Sequence, residues 1–196
     1  MNLNKITIIV PCYNEEKYID KLTDKLVVQC NSLKIDYEII FVEDGSSDNT
    51  FSEIKKKINH NKKIKIIKLS RNYGSHVAIT AGIENSHESD LVIVCPLDDI
   101  EIGNLFTKLI EKYNEGNEIV WTVRKTRNKN FFLKMMTLIY YKIFIKLTGF
   151  TNYPKTGTSA VFLISRKIST ELKKFNESNR VLNVLLFSMG FQQGFI

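Results

Sequence analysis

ITIIVPCYNEE, residues Ile6 to Glu16, decides how the rest of the chain is read. Ile6 to Val10 are all β-branched, a side-chain class that packs well on a pleated strand and loses rotamer freedom in a helix. Pro11 closes the run, and Tyr13-Asn14-Glu15-Glu16 follows as a polar loop. From Lys17 to Gln29 the apolar positions Ile19, Leu22, Leu26 and Val27 recur at helical spacing, so strand, loop and helix follow one another within about twenty-five residues. The alternation repeats downstream. Tyr37 to Val42 is a second apolar strand, with Asp44-Gly45-Ser46-Ser47-Asp48 as turn and helix cap. Ile64 to Leu69 and Leu91 to Cys95 are further strands, with a helix at Val77 to Ile83 between them. A helix at Leu105 to Tyr113 and a strand at Glu118 to Val123 continue the series. Strands apolar on both faces, alternating with amphipathic helices, predict an α/β fold with a mainly parallel central sheet and helices on both faces.

The chain has 196 residues, 43% hydrophobic and 25% charged, values that fit one globular domain and exclude a disordered or disulfide-stapled class. Cys12, Cys30 and Cys95 are far apart with no C-x-x-C pair, and the three histidines do not cluster. A reduced, cytoplasmic setting without a zinc site is expected. The net charge of +7 is unevenly spread. Ile119 to Thr170 contains ten Lys and Arg and no acid, a charge of +10 that leaves the remainder at −3. A basic sum suggests nucleic acid in general, but no nucleic-acid-binding signature accompanies it, and no nucleic-acid partner is expected. Within the basic block, Phe131 to Leu147 is almost wholly apolar apart from Lys134, Lys142 and Lys146. On a helix these lysines share a sector of about 120°. Such a helix packs in a core or lies in a membrane interface with its lysines toward phosphate; it is too short and too charged to span.

In an open parallel sheet, ligands bind beyond the carboxyl ends of the strands. Here those ends read Pro11 to Glu16, Glu43 to Ser46, Ser70 to Gly74, and Pro96 to Glu101; three of the four carry carboxylates, and no G-x-G-x-x-G follows the first strand. Each acid has a structural alternative: Asp44 as a turn residue, Glu15 and Glu16 as first-turn helix acids, Asp98 and Asp99 as solvated loop acids. Taken together, acids at successive strand ends suit a divalent cation on a diphosphate and acceptors for ribose or base.

These segments resemble the family 2 glycosyltransferases of GT-A fold, and most closely their dolichyl-phosphate mannosyltransferase and polyprenyl-phosphate glycosyltransferase branch. ITIIVPCYNEE resembles the opening nucleotide-binding strand and loop, and IIFVEDGSSDNT the family's V-D-D-G-S-x-D-x-T. LSRNYGSHVAITAG is similar to the branch's L-S-R-N-F-G-x-x-x-A-L-x-A-G. VRKTRNKNFFLKMMTLIYYKIFIKLTG is similar to its V-R-x-S-R segment and helix, and FLISRK and NRVLNVLLFSMGF to later segments. The resemblance implies that Pro11, Tyr13, Glu15, Glu43, Asp44 and Arg71 bind the nucleotide. It implies that Asp98, with Asp99 or Glu101, holds Mg²⁺ or Mn²⁺. Asp98, Asp99, Arg124 and Arg127 would form the catalytic centre, and Arg124, Arg127, Lys134, Arg166 and Arg180 would bind the acceptor phosphate. All five arginines of the chain, against 23 lysines, fall in matched segments.

The implied activity is inverting, metal-dependent transfer of a sugar from a nucleotide-diphospho-sugar to a polyprenyl phosphate at the cytoplasmic face of the membrane. The enzyme would be peripheral, with residues 1–196 as a single domain and a basic amphipathic segment near 124–149 facing the membrane. Many members continue into transmembrane helices where this chain ends at Gly194-Phe195-Ile196, which leaves truncation or a separate membrane protein partner as readings. Two departures bear on mechanism. The family's D-x-D reads Pro96-Leu97-Asp98, and an aspartate often found before F-x-L-x-x-R aligns with Ala160. If that aspartate is a general base for a sugar hydroxyl, its absence favours an acceptor needing none: a phosphomonoester, with a second pKa of about 6, is largely dianionic at neutral pH. The alternatives are transfer to a saccharide hydroxyl in cell-surface polysaccharide assembly, and a non-catalytic homologue that binds sugar nucleotide or lipid.

Overall fold

Lys5–Cys12 forms strand β1, which has a parallel neighbour on either side. Both of its faces are covered by helices, so Ile6, Ile8, Ile9 and Val10 are all fully buried and the run is apolar throughout rather than alternating. The structure, a computed structural model, describes residues 3–96, 103–123, 135–136, 142–143, 145–146, 158–175 and 182–196. The other strands are β2 (Asp36–Glu43), β3 (Ile64–Lys68), β4 (Leu91–Val94), β5 (Ile119–Val123), β6 (Thr158–Ser165) and β7 (Gln193–Phe195). The helices are α1 (Glu16–Ser32), α2 (Thr50–His60), α3 (Ser75–Glu84), α4 (Leu105–Asn114), α5 (Arg166–Leu172) and α6 (Leu182–Ser188).

The strands form one sheet in the order β3-β2-β1-β4-β6-β5-β7. All share one direction except β6, which runs antiparallel between β4 and β5. The mainly parallel α/β sheet expected from the sequence is therefore present, with two strands, β6 and the three-residue β7, that periodicity did not assign. Thr158–Ser165 follows the long basic segment, and nothing local in TSAVFLIS tells an inserted antiparallel strand from another parallel one.

Strand alternation sorts the core into two layers. Ile6, Ile8, Ile39 and Phe41 meet Ile19, Leu22 and Leu26 of α1, Ile54 of α2 and Phe106 and Leu109 of α4 on one face. Ile9, Ile40, Val92 and Phe162 meet Ala78, Ile79 and Ile83 of α3 and residues of α5 and α6 on the other. The second layer centres on Trp121, stacked on Phe187 at 4.9 Å and tilted against Phe162 at 5.0 Å, with its indole N–H donating to Gln193 Oε1 at 2.8 Å. Most of the helix read over Phe131–Leu147 lies outside the described residues. Met135, Met136, Lys142, Ile143, Ile145 and Lys146 are helical, and Met135, Met136 and Ile143 are 42%, 50% and 54% exposed, more than a core position allows. Among the described residues, no helix is long and apolar enough to cross a membrane.

Candidate active site

Because β1 to β4 are parallel and in register, their carboxyl ends open on one edge of the sheet. β1 sends the chain one way to β2 and the other to β4, so the crevice lies where the strand order reverses. Three loops meet there, after β1, β2 and β3.

The first two cap each other's helices. Neither α1 nor α2 is capped by the side chain that precedes it. Instead Thr50 Oγ1 accepts from the Glu15 N–H at 2.7 Å and Asp48 Oδ2 from the Glu16 N–H at 3.1 Å, satisfying amides at the start of α1. In return Glu16 Oε2 accepts from the Asn49 N–H at 2.8 Å ahead of α2. Asn14, at φ +55°, turns the β1 loop so that its Oδ1 accepts from the Ser47 N–H at 2.9 Å and its own N–H donates to Ser46 Oγ at 3.0 Å. Asp48 Oδ1 also accepts from the N–H and hydroxyl of Thr50. Burial works against ionisation of Asp48, but these hydrogen bonds from Thr50 and Glu16 outweigh it and hold its carboxyl below the usual carboxylate range.

The third loop is fixed by the second. Asp44, 3% exposed, accepts from the Tyr73 N–H on Oδ1 and the Gly74 N–H on Oδ2, both at 2.8 Å. Glu43, equally buried, accepts the Ser46 N–H on its side chain and the Leu69 N–H on its carbonyl. Gly45, at φ +69°, lies so close to the third loop that a Cβ there would stand 2.4 Å from the Arg71 carbonyl carbon, which leaves no room for any other residue. Burial, reinforced by the Glu43 carboxylate, pushes the Cys12 thiol far above its ordinary value, so Cys12 is no nucleophile.

Of the residues assigned to nucleotide binding, Pro11, Tyr13, Glu15, Glu43, Asp44 and Arg71 all come to this edge. Tyr13, at 44%, and Arg71 are exposed on it, while Glu43 and Asp44 are committed to loop amides. Arg166 goes elsewhere. β6 runs antiparallel, so its carboxyl end lies at the opposite edge of the sheet, beside the start of β4. There the Arg166 side chain donates to the carbonyls of Ser89 at 3.0 Å and Glu88 at 2.6 Å and pairs with Asp90 at 3.5 Å. It ties down the α3–β4 turn and is far in topology from the crevice that the other residues share. Ala160 stands near the beginning of β6, at the crevice edge. Asp98, Asp99, Glu101, Arg124, Arg127, Lys134 and Arg180 lie outside the described residues. Their flanks are informative: the Cys95 N–H still donates to Ile9 O at 2.9 Å as the chain leaves β4, and β5 ends at Val123, both at the crevice edge. Among the described residues no three metal-ligating side chains gather. An acidic set of Asp98, Asp99 and Glu101 offers the hard oxygen donors that Mg²⁺ or Mn²⁺ takes.

Sequence reasoning missed the latch formed by Asn14, Ser46, Asp48 and Thr50. The sequence marks Asp44 to Asp48 as a turn and helix cap, but Asn14, Ser46, Asp48 and Thr50 each serve a helix or loop more than thirty residues away.

Fold and strand-end loops define a GT-A glycosyltransferase domain. The Glycosyl transferase family 2 profile matches residues 7–172, and the chain belongs to that family. It is 33% identical over 193 residues to an uncharacterized glycosyltransferase of Synechocystis sp., covering 98% of this chain and 60% of the relative. It is 36% identical over 149 residues to the undecaprenyl-phosphate 4-deoxy-4-formamido-L-arabinose transferase of Proteus mirabilis, covering 75% of this chain and 45% of that protein. The chain thus spans about half the length of the curated relatives it matches. Among solved structures, the mannosyltransferase PcManGT of Pyrobaculum calidifontis, in complex with GDP-Man and Mn2+, shares the fold. Its TM-score is 0.70 at 14% identity, over 100% of this chain and 55% of that one.

Proposed function

We propose that the protein transfers a sugar, with inversion, from a nucleotide-diphospho-sugar to a polyprenyl phosphate at the cytoplasmic face of a membrane. What carries this reading is the convergence of the β1, β2 and β3 loops, braced by buried carboxylates, on the switch point of the sheet. Loops braced in this way would be preorganised for the nucleoside part of a donor before any donor arrives. Tyr13 and Arg71 present a ring and a guanidinium on that edge. The relative named as acting on undecaprenyl phosphate supports the acceptor class.

Asp98, with Asp99 or Glu101, would hold Mg²⁺ or Mn²⁺, which would neutralise charge on the departing nucleoside diphosphate. Arg124 and Arg127, following β5 at the crevice edge, would orient the acceptor phosphate through bidentate contacts that lysine cannot match. With Ala160 at the family's aspartate position, no side chain there takes a proton. A dianionic phosphate oxygen has none to give up: it forms the new bond to the anomeric carbon as the bond to the diphosphate oxygen breaks. Met135, Met136 and Ile143, exposed on a basic helix, would rest in the interface with Lys134, Lys142 and Lys146 toward lipid phosphate.

The test is transfer of labelled sugar from UDP, GDP and dTDP donors to a short polyprenyl phosphate, with and without Mn²⁺. One donor is expected to give a product of inverted anomeric configuration, only with metal. No product from any donor refutes the reading.

A further inference from the structure

Tyr73 stands where the matched motif carries phenylalanine, and both its ring and its phenol oxygen meet the Arg71 side chain. The Arg71 guanidinium lies over the Tyr73 ring, Cζ 4.8 Å from its centroid, and Ser70 Oγ is 3.1 Å from the phenol oxygen. Hydrogen bonds from Ser70 and Arg71 to that oxygen hold the phenol below its ordinary pKa, so the group is gripped from both sides. The loop beneath cannot drift. Asp44 takes the N–H groups of Tyr73 and Gly74, one on each oxygen, and the absence of a side chain on Gly45 lets the Arg71 backbone lie directly against the β2–α2 turn. A long arginine at an exposed strand end would otherwise sample many rotamers, and ordering it on binding would weaken affinity.

We propose that Tyr73 is a positioning residue: seated on the Asp44 brace, it holds the Arg71 guanidinium toward the donor crevice, ready for the anionic part of a nucleoside diphosphate. This rests on the donor-binding reading given above. It assigns Tyr73 no contact with the reacting atoms.

Calorimetric titration of the 196-residue chain with UDP, GDP and dTDP in the presence of Mn²⁺ tests it, on wild type, Arg71→Ala, Tyr73→Ala, Tyr73→Phe and the Arg71→Ala/Tyr73→Ala double variant. Tyr73 is 46% exposed, so the variants should fold, and thermal melts confirm that they do. For the nucleotide that wild type binds best, Arg71→Ala should weaken binding about tenfold. Tyr73→Ala should weaken it about threefold to tenfold, and the double variant no more than Arg71→Ala alone, because the ring acts only through the guanidinium. Tyr73→Phe, which keeps the ring, should recover most of the Tyr73→Ala loss. Unchanged affinity in Tyr73→Ala, or a Tyr73→Ala loss that persists in full without Arg71, overturns this proposal and leaves donor binding standing. Failure of wild type to bind any of the three nucleotides overturns the donor reading and this proposal with it.

Discussion

Asp44 and Asp48 stand four residues apart in one acidic turn and hold different loops. Asp44 spends both oxygens on amides 29 and 30 residues downstream, while Asp48 reaches back 32 residues to the first turn of α1. The contribution of Asp48 depends on pH. Its carboxyl is held below the usual range in the folded chain, so the ionised form contributes stability that is fully present above the unfolded value of about 3.9 and lost as pH falls through the folded value. Asp48→Asn keeps one acceptor oxygen and loses the charge, and should cost about 1 kcal/mol in urea unfolding at pH 7. The gap to wild type should stay level down to about pH 5 and close below about pH 4, once the wild-type carboxyl is protonated too. A gap undiminished at pH 3 would show that shape rather than charge makes the cap. That the DGSSD turn would cap something was legible in its residue types. Which helix it caps was not, because only the parallel register of β1 and β2 brings Glu16 beside Asp48.

At the scale of elements, α3 owes its close seat on β1 to Gly82. A Cβ at that position would stand 2.4 Å from Ile9 Cγ2, so the helix axis approaches the strand more nearly than any larger residue allows. Intrinsic propensity favours alanine over glycine in a helix by about 1 kcal/mol, and overpacking a filled core costs about 1–3 kcal/mol. Packing should win: Gly82→Ala is expected to destabilise by about 1 kcal/mol in equilibrium unfolding. In an Ile9→Ala background, where the opposing methyl is gone, the same change should be neutral or stabilising, since the two sites share one contact. Equal destabilisation in both backgrounds would place the strain elsewhere. The sequence marks α3 through Val77 to Ile83 and marks β1 plainly, because periodicity reports which face of each element is apolar. It is silent on β6. TSAVFLIS is apolar enough for any interior strand, and its antiparallel place between β4 and β5 depends on where the chain has travelled since Val123. That same reversal is why Arg166, matched with other arginines in sequence, sits at the far edge of the sheet.

The whole molecule divides its charge, and this much is legible from composition alone: residues 119–170 carry +10 without an acid, and the rest of the chain carries −3. The described acids of the strand-end loops lie in the second part, and exposed Lys142 and Lys146 beside exposed Met136 and Ile143 lie in the first. Such a helix should draw the chain to anionic bilayers by two separable forces. Each cation near a negatively charged surface is worth about 1 kcal/mol, so Lys142→Gln/Lys146→Gln should weaken binding to phosphatidylglycerol-containing vesicles by about thirtyfold at low salt. Raising salt from about 0.05 M to 0.5 M should remove most of that difference, because the screening length falls from beyond 10 Å to a few ångström. Met136→Gln/Ile143→Gln removes apolar surface instead. It should weaken vesicle binding by a factor that salt does not change, while leaving nucleotide titrations as they are in wild type. Co-sedimentation across a salt series separates the two dependences. Equal partition of wild type to neutral and anionic vesicles, or losses in the two variants with the same salt slope, would remove the separate electrostatic share of the lysines, and no binding to either vesicle would mean that this helix packs against protein rather than lipid.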